Sequence, residues 1–194
     1  MTSDARQLCR QKRNALTAEQ QYQHANKAMR WLMRSRWTQR PKKIALFLAQ
    51  DGELPTELLF RALWQRHHRT YLPVLQSHRG RSMAFAEVTV ATHYQLNQFG
   101  ILEPKVPHHQ HLTGNQLDIV LMPLTCFDHQ GNRIGMGGGY YDRTFAFKRR
   151  AGAPSNKPKL IGWAHQCQQI DQIQPNAWDI PLDGLITENH LYEF

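Results

Sequence analysis

Five glycines, Gly131, Gly135, Gly137, Gly138 and Gly139, fall within nine residues of the run PLTCFDHQGNRIGMGGGYYDR, from Pro123 to Arg143. Glycine tolerates φ > 0 and lets its backbone N–H approach a ligand closely. Successive N–H groups ahead of a helix make an anion-binding concavity. Arg133 and Arg143 bracket that concavity with fixed positive charge, and Asp142 offers hard oxygen to a divalent cation. These residue types point to a site for a polyphosphate and its metal ion. The segment is not a Walker A loop, because no Lys-Ser/Thr follows the glycines. It is not a dinucleotide fingerprint either, because GMGGGYYD lacks the G-x-G-x-x-G spacing. A mere flexible turn would need neither the two tyrosines nor the aspartate and arginines.

Other chemistry-bearing residues are weaker taken alone. Glu53 directly follows an apolar run, where a solvated carboxylate is as good a reading as a functional one. Asp179, in WDIPLDG, reads equally well as a turn former. His108, His109 and His111 sit in a polar loop without a nearby carboxylate or cysteine and read as solvated. Cys126 has no spaced histidine partner and reads as a buried thiol. The stretch from Trp31 to Trp37 reads as core and rim rather than a base-stacking platform.

Elements that must position these residues follow from periodicity. Residues 4–16 are polar and helix-permissive. Thr17 and Gln20 make a capping box ahead of an amphipathic helix over 18–35. KIALFLA (43–49) predicts a buried strand, broken by Asp51-Gly52, and Pro55-Thr56 then opens a helix to about His67. RTYLPVL (69–75) predicts a strand that Pro73 ends or places at an edge. Gly80 predicts a turn, 82–90 a third strand, 94–99 a short helix and 100–107 a loop. LDIVLM (117–122) predicts a strand running straight into the glycine segment, 140–148 a helix, and KLIGWA (159–164) and GLIT (184–187) two short strands. Alternating strands and helices predict one α/β domain over 1–194 with a mostly parallel central sheet flanked by helices. Ligands of such sheets bind outside the strands' carboxyl ends. Three segments lie there: Gln50–Glu53, Cys126–Asp142 and the loop after Ala164.

The composition sets bounds on function. The 194 residues carry 41% hydrophobic and 20% charged side chains, ordinary for a globular domain with a real core. No stretch approaches the ~18 apolar residues of a membrane span, and the polar N-terminus predicts no secretory leader. Three widely spaced cysteines predict neither a cysteine zinc site nor a disulfide framework, which fits a cytoplasmic location. A net charge of +9 suits anionic partners, whether small substrates, nucleic acid or a membrane surface. The basic residues are dispersed in short clusters without an interleaved aromatic signature, so neither obligate nucleic acid nor membrane is expected as a partner. Another phosphate-ligand enzyme on the same kind of scaffold, or a basic RNA-binding module, stays open on the residues alone.

The chain resembles the 5-formyltetrahydrofolate cyclo-ligase (methenyltetrahydrofolate synthetase) family through Pro123, Phe127, Asp128, Gly131, Arg133, Ile134, Gly135, Gly137, Gly139, Tyr140, Tyr141 and Asp142. FLAQDGELPTELL with Glu53 and Thr56, YLPVL, MAF, GILEP with Glu103 and Pro104, GWAHQCQ and WDIPLDGLIT resemble further family segments in the same order. The family's N-terminal K-x-x-L-R places its arginine at Arg6 and its lysine at Thr2, so that lysine is missing, with Arg10 and Lys12 the basic residues nearby. Proline-glycine after the strand is Pro123-Leu124 here, and the lysine of some members is Gly138.

The resemblance implies a Rossmann-like sheet of the phosphosugar isomerase/CoA transferase type with N-terminal helices. It implies an enzyme, expected to be monomeric, acting on 5-formyltetrahydrofolate, polyglutamylated forms included, and on ATP as co-substrate with Mg²⁺. The ATP site implied is Arg6, Arg133, Ile134, Gly135, Met136, Gly137, Gly138, Gly139, Tyr140 and Tyr141. The folate site implied is Leu48, Glu53, Met83 and Phe85 with Met136, Gly137, Gly138, Gly139 and Tyr140. Arg133 and Tyr140 carry the catalytic roles, and Asp142 and Asp179 the metal.

Overall fold

A strand that is apolar at every position can be buried only between two covering layers, and the run Ile119–Met122 at the middle of this chain's sheet is of that kind. A computed structural model describes residues 2–76, 82–98, 100–149 and 157–194. Among them, seven strands form one sheet: β1 (Lys43–Ala45), β2 (Arg69–Gln76), β3 (Ser82–Val88), β6 (Ile119–Met122), β9 (Lys159–Trp163), β10 (Gly184–Ile186) and β11 (Leu191–Glu193). Their order is β11-β10-β9-β6-β1-β2-β3, parallel except for the outer pairs β2–β3 and β10–β11. Two small hairpins accompany it: β4 (Tyr94–Leu96) with β5 (Leu102–Pro104), and β7 (Cys126–Phe127) with β8 (Arg133–Ile134).

Alternate strand residues feed two cores. Ile44, Leu46, Leu72, Ile119, Leu121, Ile161 and Ile186 face one side, with Leu32, Leu59 and Leu63 of the covering helices α2 (Ala18–Arg34) and α3 (Glu57–Gln65). Ala45, Tyr71, Val120, Met122, Leu160 and Leu185 face the other, with Phe85, Phe127 and Phe145. α2 begins with the expected capping box, Thr17 accepting from the Gln20 N–H while Gln20 accepts from the Thr17 N–H. Trp37 is buried and Trp31 lies at the rim.

Several expectations need correcting. Regular pairing of β1 stops at Ala45, although the Leu46 N–H still donates to the Tyr71 carbonyl at 2.8 Å and Leu46 and Phe47 stay buried. Pro73 neither ends β2 nor sits at an edge; it pairs with Phe85 inside the β2–β3 ladder. Phe85 turns its own N–H and C=O outward to Leu112, so this is a position where β2 and β3 exchange no hydrogen bonds. A ladder N–H at this position would aim at the segment after Ala45, so none of the paired residues of β1 loses a hydrogen bond to the proline. Tyr94–Leu96 is a strand, not a helix, and the loop expected over 100–107 contains β5. The turn at Gly80 and the end of the expected helix at Phe99 lie outside the described residues.

Helix α1 (Thr2–Asn14) is fastened by a buried arginine. Arg13 is fully buried; its Nε donates to the Asp51 carbonyl at 2.7 Å, Nη1 to the Leu124 carbonyl at 3.2 Å and Nη2 to Asp51 Oδ2 at 2.8 Å. Arg10 and Asn14 bind the same carboxylate at 2.7 and 3.1 Å. Asp51-Gly52, legible in sequence only as a strand breaker, therefore anchors the N-terminal helix. Both residues have positive φ, 50° and 71°.

The Arg10 hydrogen bond, helped by Asn14 and Arg13 against the effect of burial, holds the Asp51 carboxyl down at about 2. Its unfolded value is about 4, so the stability this carboxylate adds is present above pH 4 and is lost as pH falls through 2. Urea denaturation should show the wild type losing stability between pH 4 and 2 more steeply than Asp51→Asn. Parallel profiles would contradict this anchor.

Candidate active site

A cavity of about 1030 Å³ opens at the carboxyl ends of β1 and β6, between the glycine segment and the β2–β3 ladder. That is at the top of the usual range for a single small ligand. Leu48, Gln50 and Glu53 line it after β1, Pro123 after β6, and residues 133–143 form the opposite wall. Met83 of β3 and Glu103 of β5 close one side. Asn176, Trp178 and Asp179 close another.

The glycine arm is clamped at both ends and near its middle. Arg133, at the end of the β7–β8 hairpin, donates through Nη2 to Asp142 Oδ1 at 2.6 Å and through Nη1 to the Ile180 carbonyl. The Ile180 N–H returns a hydrogen bond to the same Asp142 oxygen at 3.2 Å. One ion pair between residues nine positions apart thereby closes the arm. Arg6 of α1 donates to the Gly135 carbonyl at 2.9 Å, and Arg143 donates to the Gly138 carbonyl while lying 5.7 Å over the Tyr140 ring. Gly137 and Gly139 have φ of 99° and 63°, and a Cβ on Gly135 or Gly137 would meet no protein atom within 4 Å. The arm therefore keeps open space beside rigidly held backbone, as an anion cradle requires.

Asp128 ties the turn of this hairpin. Burial would raise its carboxyl, but hydrogen bonds from Asn132, Ile173 and Gln130 hold it below the usual range. Because Ile173 begins the segment leading to Asn176 and Asp179, the same carboxylate sets the far wall of the cavity.

On the wall that follows β1, Glu53 is half-buried and accepts from the Gln50 N–H at 3.1 Å. Burial pushes its carboxyl up, with the Gln50 hydrogen bond opposing. Burial, with the Glu53 charge nearby, also raises the Tyr141 phenol, so Tyr141 stays protonated at neutral pH.

Asp142 and Asp179 line the same cavity. Asp179 Oδ2 accepts from the N–H and Nδ2 of Asn176 at 2.8 and 3.1 Å, the turn-forming contact of the bland reading. In each carboxylate the second oxygen has no partner among the described residues, so one hard oxygen from each remains for a cation.

Of the residues anticipated from sequence, Arg6, Leu48, Glu53, Met83, the whole segment from Arg133 to Asp142, and Asp179 line the cavity. Phe85 does not. It is fully buried beside Phe145, 6.1 Å between rings, because the segment after α4 (Tyr140–Thr144) covers that stretch of β3. Arg133, an implied ATP-site residue, has its guanidinium fork committed to Asp142 and the Ile180 carbonyl. The connection after Ala164 first packs beneath α1, where Gln168 holds the Leu124 and Thr125 carbonyls, and its later part brings Ile173, Gln174, Asn176, Trp178 and Asp179 to the cavity. Arg10 pairs with Asp51, and Lys12 is exposed and lines no cavity wall. Sequence reasoning missed the part of Glu103, buried and bound by the Leu75 N–H and Asn97 Nδ2, both at 2.9 Å. The Glu-Pro pair in GILEP was the available signal.

The three cysteines are free thiols and the HHQH loop is largely exposed, as expected. No helix of the described residues is long and apolar enough to cross a membrane.

The chain is 35% identical to the 5-formyltetrahydrofolate cyclo-ligase of Escherichia coli K12, over 96% of this chain and 100% of that one. It is 38% identical to the enzyme of the same name from Haemophilus influenzae, covering 88% and 89% of the two chains. The solved structure of Aquifex aeolicus 5,10-methenyltetrahydrofolate synthetase superposes with a TM-score of 0.81 at 28% identity, over 99% of this chain and 92% of the other. A model of the 5-formyltetrahydrofolate cyclo-ligase family matches residues 2–188, and the chain belongs to that family.

Proposed function

We propose that this chain cyclises 5-formyltetrahydrofolate to 5,10-methenyltetrahydrofolate, consuming ATP in the presence of Mg²⁺ and releasing ADP and phosphate. The observation that carries this reading is the clamped glycine arm, with open space at Gly135 and Gly137, facing Glu53 across one cavity. One wall suits phosphates and the other a polar heterocycle.

A formyl oxygen on nitrogen is a poor leaving group. Transfer of the γ-phosphoryl group to that oxygen makes it a good one. N10 then attacks the formyl carbon, loses its proton, and phosphate departs as the five-membered ring closes. Such a transfer asks the protein mainly for alignment and charge neutralisation. The N–H groups of residues 135–139 cradle the phosphates. Arg133 acts by holding Asp142 in place and by its charge. Tyr140 lies between nucleotide and folate and orients the formyl group. Mg²⁺ supplies neutralisation of phosphate charge, with Asp142 and Asp179 the residues to hold it. Glu53 and the backbone at Leu48 read the polar edge of the pterin, and Met83 gives its rings an apolar wall. The net charge of +9 steers both anionic substrates inward.

The reading is tested by inorganic phosphate release: one phosphate per folate consumed, and none from ATP alone. Turnover of folate without phosphate release would overturn it. Glu53→Gln should raise KM for the folate by about 10- to 100-fold, the worth of a hydrogen bond to a charged group. KM for ATP should stay within about twofold. Equal changes in both would move Glu53 out of the folate subsite.

A further inference from the structure

Outside the active cavity, two imidazoles and a carboxylate converge where α2 crosses the ends of β9 and β10. His24 Nδ1 and His165 Nδ1 lie 3.0 Å apart, and His24 Nδ1 lies 3.6 Å from Glu188 Oε1. One ligand atom from each of the three falls within 4.8 Å of the others. In a tetrahedral zinc site, bonds of about 2.0–2.1 Å put neighbouring donor atoms roughly 3.3 Å apart, and the two measured separations bracket that value. None of the three residues lines the cavity described above.

The surroundings hold the donors in place. Glu188 Oε2 accepts from the Gln166 N–H at 2.9 Å, which leaves Oε1 for the cluster. Gln166 is itself fixed by Thr187 and Tyr192 hydroxyls at 2.8 and 3.2 Å. His165 is fully buried, with its Nδ1 turned to His24. His24 is 19% exposed in its side chain, which leaves an entry path. Two neutral imidazoles and one carboxylate are the donor set of zinc and neighbouring divalent transition metals, not of Mg²⁺.

We propose that His24, His165 and Glu188 form a binding site for a Zn²⁺-class ion that staples α2 to the ends of β9 and β10. Water takes the fourth position on the His24 side. The competing arrangement is a plain histidine–histidine hydrogen bond closing a polar corner.

The test is calorimetric titration of EDTA-stripped full-length protein with Zn²⁺, repeated with Co²⁺ to read the visible absorption of a four-coordinate site. The wild type should bind one equivalent. His24→Ala and His165→Phe should each weaken that binding by more than about 100-fold, beyond the loss seen when a residue that only hydrogen-bonds to a metal ligand is changed. A His108→Gln/His109→Gln double variant should bind as the wild type does, which separates the site from the exposed histidine loop. His24 is on a partly open helix face, so its variant reports even where His165→Phe does not fold. No saturable one-equivalent binding in the wild type, undiminished binding in His24→Ala, or loss in the loop variant would each overturn the proposal.

Discussion

Asp142→Asn should lose at least about 100-fold in kcat/KM, roughly 2.7 kcal/mol of transition-state stabilisation, while its thermal midpoint stays within a few degrees of wild type. The amide keeps an oxygen to accept from Arg133 Nη2 and the Ile180 N–H, so the clamp across the glycine arm survives. What disappears is the negative charge and the second oxygen, without a partner among the described residues, that is proposed to hold Mg²⁺. Asp142→Ala should lose the same activity and also about 1–3 kcal/mol of stability, because Arg133 and Ile180 then lack their acceptor. A metal role has a signature that a structural role lacks: raising Mg²⁺ should restore part of the Asp142→Asn activity and none of the Asp142→Ala stability. Near-normal turnover of Asp142→Asn at limiting Mg²⁺ would remove Asp142 from the metal site.

Gly137→Val should weaken ATP binding by at least about 100-fold and leave the fold intact. The residue sits at φ of 99°, and a Cβ there would meet no protein atom within 4 Å. The added side chain therefore enters ligand space rather than protein. Strain at a positive φ costs on the order of 1–3 kcal/mol and should shift the backbone N–H groups out of register with the phosphates. Gly100→Val provides the control: its φ is 71° and its Cβ space is equally open, but Gly100 does not line the cavity. It should carry similar strain with unchanged ATP affinity. Equal ATP affinity in Gly137→Val and wild type would locate the phosphates elsewhere.

How far the sequence discloses this molecule depends on the range of the interaction. The apolar run LDIVLM reads directly as a buried strand because β6 is covered on both faces. The open, left-handed turns of the glycine arm read directly because glycine's freedom in φ is local. The β4–β5 hairpin does not read, since all three β4 residues are exposed and carry no burial signal. Met83 and Phe85 are two residues apart and share a strand face, yet only Met83 reaches the cavity. What separates them is the cover supplied by Phe145, more than fifty residues away. Arg133 shows the same limit. Its charge and position suggest a phosphate ligand, and only the packed structure brings Ile180 to its guanidinium and makes it the clasp of the arm. Asp51 and Arg13 are the clearest omission, because an ion pair between an N-terminal helix and a strand-end loop leaves no periodic trace.

The most direct test of the proposed reaction is the absorbance of 5,10-methenyltetrahydrofolate during incubation of the purified protein with 5-formyltetrahydrofolate and Mg²⁺, with and without ATP. The methenyl band should grow only when ATP is present. A folded protein that shows no growth with ATP, or equal growth without it, would contradict ATP-dependent cyclisation at this site.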